Sequence, residues 1–277
     1  AALEALALAA TPQRVSGGVD RPARLTVLPQ ASDGWLQTPG LAGHRSGRGF
    51  SSALTTHDAT VGERDATIVA RDQESGLEAE LRLELTDHGV LRTRIALRNV
   101  GVDDYVLDDL HVTLPLPDDA DEILDTTGHH LRERSPQRRP LTIGAHVRES
   151  RRGRPGADAT LLLAVGTAGF GFERGLVHAA HLAWSGDHRL AAERTTTGES
   201  LLAIGELLLP GEVVLAPGES YETPWVVASW GDGLTELSAR LHADLRARPH
   251  HPRRPRPVTL NTWEAVYFAQ DLGRLTA

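Results

Sequence analysis

The clearest pattern in the chain is a strict alternation of apolar and polar residues. In LEAELRLEL (77–85) every odd position is apolar and every even position is charged. The alternation resumes in LRTRIALR (91–98), after the turn sequence TDHG (86–89). A period of two is typical of strands with one buried and one solvated face. The two stretches therefore predict an antiparallel β-hairpin.

Shorter stretches of the same kind recur through the first 230 residues, separated by Gly, Pro, Asp and Asn. They predict further strands at 24–28, 66–71, 105–114, 159–165, 175–184, 200–209 and 221–230. No fixed repeat relates these strands to one another. Because many short strands over one long region are typical of a large β-sandwich, the fold is predicted to be mainly β.

Two polar stretches interrupt this series and are predicted to be irregular. One is DTTGHHLRERSPQRRP (125–140), and the other is RESRRGRPGADA (148–159). The second stretch contains four arginines: Arg148, Arg151, Arg152 and Arg154. It is either a solvated loop or a basic loop that binds an anionic group or a partner subunit.

The apolar period changes at residue 231 from that of a strand to that of a helix. The sequence GDGLTELSARLHADLRARP (231–249) has four leucines at helical spacing, namely Leu234, Leu237, Leu241 and Leu245. Asp232 is the expected N-cap and Pro249 the expected end. HHPRRPRP (250–257) reads as an extended, proline-rich linker. These features predict a sandwich domain over 1–230 and a helical connector with its linker over 231–256.

The remaining stretch, residues 257–277, contains VTLNTWEAVYFAQDLGRLTA (258–277) and predicts the start of a new unit. VTLN is apolar enough for a strand buried on both faces, and a helix is expected to follow it. This order is the opening of a βα unit, as in a barrel of alternating strands and helices.

Composition and charge narrow the classes of function. The chain of 277 residues is 40% hydrophobic and 24% charged, which is ordinary for a soluble globular protein. Its net charge of −8 argues against a nucleic-acid partner. No run of residues is apolar and long enough to cross a membrane as a helix, so membrane insertion is not expected. The sequence leaves export undecided, and the cytoplasm is taken as the default location. The absence of Met suggests a fragment of a longer protein, and the absence of Cys excludes disulfides and cysteine nucleophiles.

Two motifs with catalytic or ligand-binding potential are interpreted as structural. The glycine-rich GTAGFGFERG (166–175) has Arg174 where a dinucleotide fingerprint needs its third glycine, so it predicts a hairpin turn instead. His178 and His181 are three residues apart on a predicted strand, so they point to opposite faces and cannot share a metal ion. No cofactor and no metal site are therefore expected.

Two tryptophans are the better candidates for a functional site. Trp184, in HLAWSGDHRL (181–190), ends a predicted strand beside Asp and His. It is either a platform on which a sugar ring stacks or a rim residue that covers the core. Trp263, in NTWEAVYF (261–268), follows the predicted strand at the end where β/α barrels build their active sites. Its alternative role is to pack a domain interface together with Tyr267 and Phe268.

Several stretches together resemble the N-terminal part of the glycoside hydrolase family 36 α-galactosidases, in their actinobacterial form. The matching stretches are SDGWLQTPGLAGHR (32–45), RRPLTIGAHVRESRRGRPGADAT (138–160), GTAGFGFERG (166–175), HLAWSGDHRL (181–190), GELLLPGEVVLAPGESYETPW (205–225), LHADLRARPHHP (241–252) and RPVTLNTWEAVYF (256–268). They cover most of the chain in the order that the family has them.

The resemblance implies a large β-supersandwich, a short helical connector and the first strand of a catalytic (β/α)8 barrel, here residues 257–277. It also implies retaining hydrolysis of terminal α-galactosyl residues in galactosyl oligosaccharides of the melibiose and raffinose type. The family's nucleophile and acid/base, both Asp, lie on later barrel strands and have no counterpart in these 277 residues. The chain alone is therefore expected to be inactive.

Trp184 and Trp263 are the two positions that the resemblance assigns to substrate binding. It also implies a homo-oligomer, a tetramer or a dimer, in the full-length protein. Two alternatives stay open for the isolated chain. It could be a non-catalytic carbohydrate-binding or oligomerisation module, or a purely structural sandwich that aids assembly.

Overall fold

The computed structural model of the protein describes residues 25–159 and 161–276. Within them lie seventeen strands, a short 3-10 helix (Ala31–Asp33) and three α-helices. The strands are β1 (Leu41–His44), β2 (Thr55–Val61), β3 (Asp65–Asp72), β4 (Leu77–Leu85), β5 (Leu91–Asn99), β6 (Tyr105–Leu110), β7 (Val112–Leu116), β8 (Glu122–His129), β9 (Arg132–Pro140), β10 (Gly144–Ser150), β11 (Leu162–Gly166), β12 (Leu176–Leu182), β13 (His188–Arg194), β14 (Ser200–Glu206), β15 (Val213–Leu215), β16 (Ser220–Glu222) and β17 (Val226–Asp232). The helices are α1 (Leu234–Ala247), α2 (Trp263–Val266) and α3 (Leu272–Thr276).

Antiparallel sheets build the larger of two compact units, which spans Ala1–Asp244. The large sheet has the order β2-β3-β4-β5-β17-β12-β11-β8-β9, and β16 also pairs with β5. A four-stranded sheet has the order β10-β13-β14-β7, and a three-stranded sheet the order β1-β6-β15. One buried apolar cluster takes side chains from all three sheets, including Ile95, Leu107 and Leu202. The sheets therefore pack face to face, and the predicted β-sandwich is confirmed.

The predicted hairpin at 77–98 is confirmed in position and register. β4 and β5 pair along their whole length, with Leu77 opposite Asn99 and Leu85 opposite Leu91. Leu77 and Leu97 are completely buried on the inner face of the sheet. The alternation in sequence is thus the alternation between core and solvent that a pleated strand imposes.

The prediction that 125–140 is irregular is wrong, because these residues form most of the hairpin β8–β9. Thr127 lies opposite Ser135, and Glu122 lies opposite Pro140. β9 is mostly exposed, so its sequence carries almost no apolar side chains that could alternate. Backbone hydrogen bonds to β8 hold this edge strand. Such bonds do not require apolar side chains, so the sequence shows no alternating pattern there.

Three predicted strands also differ from the structure. The stretch 105–114 divides at His111 into β6 and β7, since the chain passes there from the three-stranded to the four-stranded sheet. The stretch 221–230 divides into β16 and β17 around Pro224, which has no N–H to give to a strand partner. Residues 25–28 form no strand. Only isolated bonds hold them beside β7, such as that from the Thr113 N–H to the Val27 carbonyl.

The predicted helix is confirmed, but its predicted cap is not. Helix α1 packs through Leu234, Leu237 and Leu241 on the outer face of the large sheet. Asp232 still belongs to β17, and its N–H donates to the Glu236 carboxylate at 2.7 Å. The residue before the helix is Gly233, with φ of 90°. A Cβ at this position would lie 2.3 Å from the Phe172 carbonyl oxygen, so the tight passage from strand to helix requires glycine.

The smaller compact unit, Leu245–Ala277, contains α2 and α3. The strand predicted at 258–261 is wrong for this chain, because these residues have no regular structure. Val258 and Leu260 are almost entirely exposed. A strand needs a neighbour to bond its backbone, and the described part of this unit contains no other strand. None of the described helices is long and apolar enough to cross a membrane.

Candidate functional site

Trp184 lies in the turn between β12 and β13 with its side chain 43% exposed. β12 ends at Leu182, and the next N–H, that of Ala183, donates to the Trp225 carbonyl. The chain then turns back at Gly186. A Cβ there would lie 2.3 Å from the Trp184 indole nitrogen, so the ring packs against bare backbone. A side chain at position 186 would therefore displace the ring from this accessible position.

The basic stretch 148–159 is joined to this turn. Its first residues belong to β10, and the remainder is irregular as predicted. The Gly153 N–H donates to the Asp187 carboxylate at 2.6 Å, which ties the loop to the residue three positions after Trp184. The structure therefore brings together two features that the sequence presented separately, the exposed tryptophan and the arginine-rich loop.

The arginines of this loop differ in how far their charge is neutralised. Arg151 pairs with Glu149 at 2.8 Å, and Arg152 lies 3.5 Å from Asp158. Arg154 forms no ion pair with any described residue, although its backbone carbonyl accepts the Ser150 hydroxyl at 2.9 Å. An exposed guanidinium without an acidic partner keeps its donors available for a hydroxyl or an anion.

A cleft of about 630 Å³ is lined in part by the same loop. Its polar lining comes from Arg154, from Glu133 and Arg134 of β9, and from His181 of β12. Apolar side chains complete the lining, among them Leu161, Leu162, Pro155 and Leu241. Since His181 precedes Trp184 by only three residues, the cleft and the platform lie close together. Such a mixture of hydrogen-bonding and apolar groups suits a sugar, which has polar edges and apolar faces.

The two histidines of β12 point to opposite faces, as predicted. His181 lines the outer cleft, whereas the Nε2 atom of His178 is buried inside the sandwich without a hydrogen-bond partner. Burial lowers the pKa of His178, although the charge of Asp119 opposes this effect. In the described residues, no three His, Asp or Glu side chains are arranged to hold a metal ion.

The glycine-rich stretch 166–175 connects β11 and β12, which pair as an antiparallel hairpin. The Gly169 N–H donates to the Glu122 carboxylate at 2.6 Å, and Arg138 pairs with the same group at 2.9 Å. The bond from Gly169, and then that from Arg138, lowers the pKa of Glu122. These contacts hold a loop between two strands, in agreement with the predicted turn.

Trp263 is the first residue of α2 in the smaller unit. Its N–H donates to the Asn261 side-chain oxygen at 2.9 Å, and its ring is 46% exposed. The Tyr267 and Phe268 rings meet it edge-on, at centroid distances of 5.5 and 5.0 Å. Trp184 and Trp263 thus belong to different compact units, and each is set in its own local arrangement.

Sequence reasoning missed two parts of the candidate site. One is the bond between Gly153 and Asp187, which no spacing rule could anticipate because the two residues are 34 positions apart. The other is Arg134, which was placed in an irregular stretch. Arg134 lies near the tip of the β8–β9 hairpin and has a positive φ of 52°. No residue type in its immediate sequence predicts that backbone conformation.

The described residues thus form a β-sandwich domain that carries an exposed tryptophan. The glycosyl hydrolase family 36 N-terminal domain matches residues 2–216, and the melibiase family matches residues 220–277. The chain therefore belongs to glycosyl hydrolase family 36, as the resemblance in its sequence implied, and the actinobacterial form stays a prediction.

Individual relatives agree with this family. The chain is 36% identical over 256 residues to an α-galactosidase of Escherichia coli, a match that covers 91% of this chain and 36% of the relative. It is 30% identical over 207 residues to the α-galactosidase AgaA of Geobacillus stearothermophilus, covering 73% of this chain and 28% of AgaA. The chain thus spans about a third of the length of these curated relatives.

Solved structures share the fold. The galactosidase domain of the α-galactosidase–sucrose kinase AgaSK has a TM-score of 0.79 at 22% identity, over 94% of this chain and 41% of that one. The GH36 α-galactosidase AgaB from Geobacillus stearothermophilus has a TM-score of 0.77 at 23% identity, over 87% and 37%. Both comparisons confirm the sandwich.

Proposed function

We propose that this chain is the N-terminal part of a retaining α-galactosidase that releases terminal α-galactosyl residues from oligosaccharides. The observation that carries the proposal is the family match, which extends over residues 2–216 and 220–277. Relatives such as those of Escherichia coli and Geobacillus stearothermophilus are themselves named α-galactosidases. In this role the sandwich contributes to sugar binding, and the hydrolytic chemistry belongs to the catalytic barrel.

The proposed chemistry explains why the chain alone should not hydrolyse a galactoside. A retaining glycosidase needs a carboxylate nucleophile and a carboxylic acid about 5 Å apart. The family resemblance assigns both to Asp residues on barrel strands later than those matched by this chain. Without that pair, neither the covalent intermediate nor the protonation of the leaving group is possible.

Trp184 is the proposed sandwich contribution to the sugar site. Its exposed ring would cover the apolar face of a galactosyl unit, while hydrogen-bonding groups of the neighbouring loop and cleft meet the hydroxyls. Trp263 is proposed as a second lining residue, on the segment that opens the barrel. The substrate class is supported by AgaA variants from Geobacillus stearothermophilus, which have been solved in complex with raffinose and with stachyose.

The full-length protein is proposed to be a homo-oligomer in which Trp184 of one subunit reaches the sugar site of another. The exposure of the ring in this chain is compatible with that role. The competing function is a carbohydrate-binding module that needs no partner. It is favoured by the platform itself, which is assembled entirely from residues of the sandwich.

A titration with raffinose, followed by tryptophan fluorescence, tests the contribution of Trp184. Trp184→Ala is expected to abolish the response, and Trp230→Ala is a matched control because Trp230 is 44% exposed. A response that Trp184→Ala leaves unchanged would contradict the assigned platform. No response in the unmodified chain would favour binding that requires the assembled enzyme.

An assay with a chromogenic α-galactoside tests whether hydrolysis requires the catalytic barrel in addition to the sandwich. The chain alone is expected to release no chromophore above the uncatalysed rate. The longer protein with its catalytic barrel is expected to release it readily. Hydrolysis by the chain alone would overturn the assignment of the catalytic pair to the barrel, and an inactive full-length enzyme would overturn the proposed function.

A further inference from the structure

The exposed Trp184 ring lies against the turn that follows it, residues 184–187. A Cβ at Gly186 would lie 2.3 Å from the indole nitrogen and 2.7 Å from the ring carbon next to it, so the Gly186 backbone directly backs the ring. No described residue accepts a hydrogen bond from the Trp184 indole N–H, which leaves the ring without a polar anchor of its own. The position of the ring therefore depends on where the turn holds Gly186.

His188, the first residue of β13, bonds this turn from the inner face of the four-stranded sheet. Its Nδ1 atom lies 3.1 Å from the Gly186 carbonyl oxygen. Because a carbonyl can only accept, Nδ1 carries the proton and donates it. The His188 side chain is completely buried, and its backbone is paired with Ser150 of β10 and Glu206 of β14. The bond to Gly186 thus originates from a fixed residue of the sheet.

The other ring nitrogen shows what the histidine contributes at this position. His188 Nε2 is buried and has no hydrogen-bond partner among the described residues. A buried polar atom without a partner keeps the cost of its desolvation, which an apolar side chain of similar size would avoid. The contact that offsets this cost is the Nδ1 bond, so His188 stabilises the turn at the expense of the core.

Asp187, which lies between these two residues, ties the arginine-rich loop (148–159) to the same turn. Its carboxylate accepts the Gly153 N–H of that loop at 2.6 Å. Its own backbone carbonyl accepts the Leu207 N–H at 3.2 Å, just after β14. Hydrogen bonds to an ionised acceptor are about twice as strong as neutral ones, so the carboxylate is an effective link between loop and turn.

We propose that Asp187 and His188 are positioning residues of the sugar site: His188 places the Trp184 ring through Gly186, and Asp187 places the arginine-rich loop beside it. In this role, which rests on the proposed function, His188 is too buried to touch a sugar and Asp187 acts through the loop. Stacking and hydroxyl recognition both require fixed geometry. A site that is arranged before the ligand arrives loses less entropy on binding.

Fluorine NMR of the chain labelled with 5-fluorotryptophan tests the position of the ring without any sugar. Trp184→Phe assigns the Trp184 resonance among the five tryptophans. His188→Leu should shift and broaden that resonance and leave the others in place, because the turn loses its buried donor. His188→Asn should retain the resonance, since the asparagine amide N–H lies where Nδ1 was. His188→Gln carries its amide near the place of Nε2, so it should behave like His188→Leu, and it decides if the leucine variant does not fold.

Titration with raffinose, followed at the same resonance, measures the consequence for binding. His188→Leu should weaken binding by about fivefold and Asp187→Ala by about tenfold, because the binding-competent arrangement is less populated in each variant. Asp187→Asn keeps an oxygen that accepts the Gly153 N–H and should weaken binding by less than about threefold. If the unmodified chain does not respond, the KM of the longer protein for raffinose replaces this affinity, and Asp187→Ala should raise it by about tenfold.

The chain offers a matched control, because the same dipeptide, Asp87 and His88, lies in the turn between β4 and β5. Asp87→Ala and His88→Leu should change neither the Trp184 resonance nor the affinity for raffinose. A resonance that His188→Leu and His188→Gln both leave unchanged would overturn the role of His188. Equal raffinose affinity, or equal KM, in Asp187→Ala and the unmodified protein would overturn that of Asp187. Failure of the proposed function would appear differently, as an inactive longer protein, while the resonances would still decide the role of His188.

Discussion

Two segments of this protein have strand-like sequences but different structures. β4 (Leu77–Leu85) pairs with β3 on one side and β5 on the other, and its inner side chains Leu77, Ala79 and Leu81 are buried. Residues 258–261 are equally apolar, yet they form no strand and are exposed to solvent. The comparison shows that an apolar pattern supplies only the tendency to form a strand. Neighbouring strands supply the backbone bonds and the apolar cover that make it stable.

The largest expected effect comes from the same substitution made in each segment. Leu77→Ala removes a completely buried side chain of β4 and should lower the free energy of unfolding by about 2–5 kcal/mol. Leu260→Ala removes a side chain that is 82% exposed and should change it by less than about 0.5 kcal/mol. Urea denaturation followed by circular dichroism measures both. Equal losses would show that residues 258–261 are packed in solution.

A smaller effect is expected where the larger unit ends, at Asp244. Both carboxylate oxygens of Asp244 accept bonds from Arg92, at 2.9 and 2.7 Å, and its side chain is only 6% exposed. Asp244→Ala should lower the free energy of unfolding by about 2–3 kcal/mol, because Arg92 keeps its charge in a half-buried place. The exposed pair Arg64–Asp87 offers the control, and Asp87→Ala should cost less than about 1 kcal/mol. Similar losses from both variants would mean that α1 is not anchored through Asp244.

The smallest expected effect is a pH dependence that arises inside the sandwich. Burial keeps the pKa of His178 below its ordinary value, so between the two values the unfolded chain binds more protons than the folded one. Stability should therefore fall as the pH decreases from about 6.5 through the lower folded value. His178→Leu should lose less stability than the unmodified protein between pH 7 and pH 5, in thermal unfolding at each pH.

The sequence predicted those elements that have one face in the core and the other face in solvent. The hairpin at 77–98 and the leucines of α1 are predictable because burial alternates with the period of each element. β9 was missed because almost all of it is exposed and only backbone pairing defines it. The breaks at His111 and Pro224 were missed because they depend on which sheet the chain joins next.

The candidate site was predictable only in its individual residues. Trp184 stands out because an aromatic residue at a strand end, beside Gly and Asp, has few packing roles. Its neighbours in space come from distant parts of the chain, as the bond between Gly153 and Asp187 shows.

Hydrogen–deuterium exchange of the intact chain tests the central contrast most directly. The amides of β4 and β5 should exchange slowly, at rates limited by opening of the sandwich, because both strands are paired along their length. The amides of residues 258–261 should exchange at nearly the rate of an unstructured peptide. Comparable protection of the two segments would contradict the account, since it would require strand partners for 258–261 that the described residues do not provide.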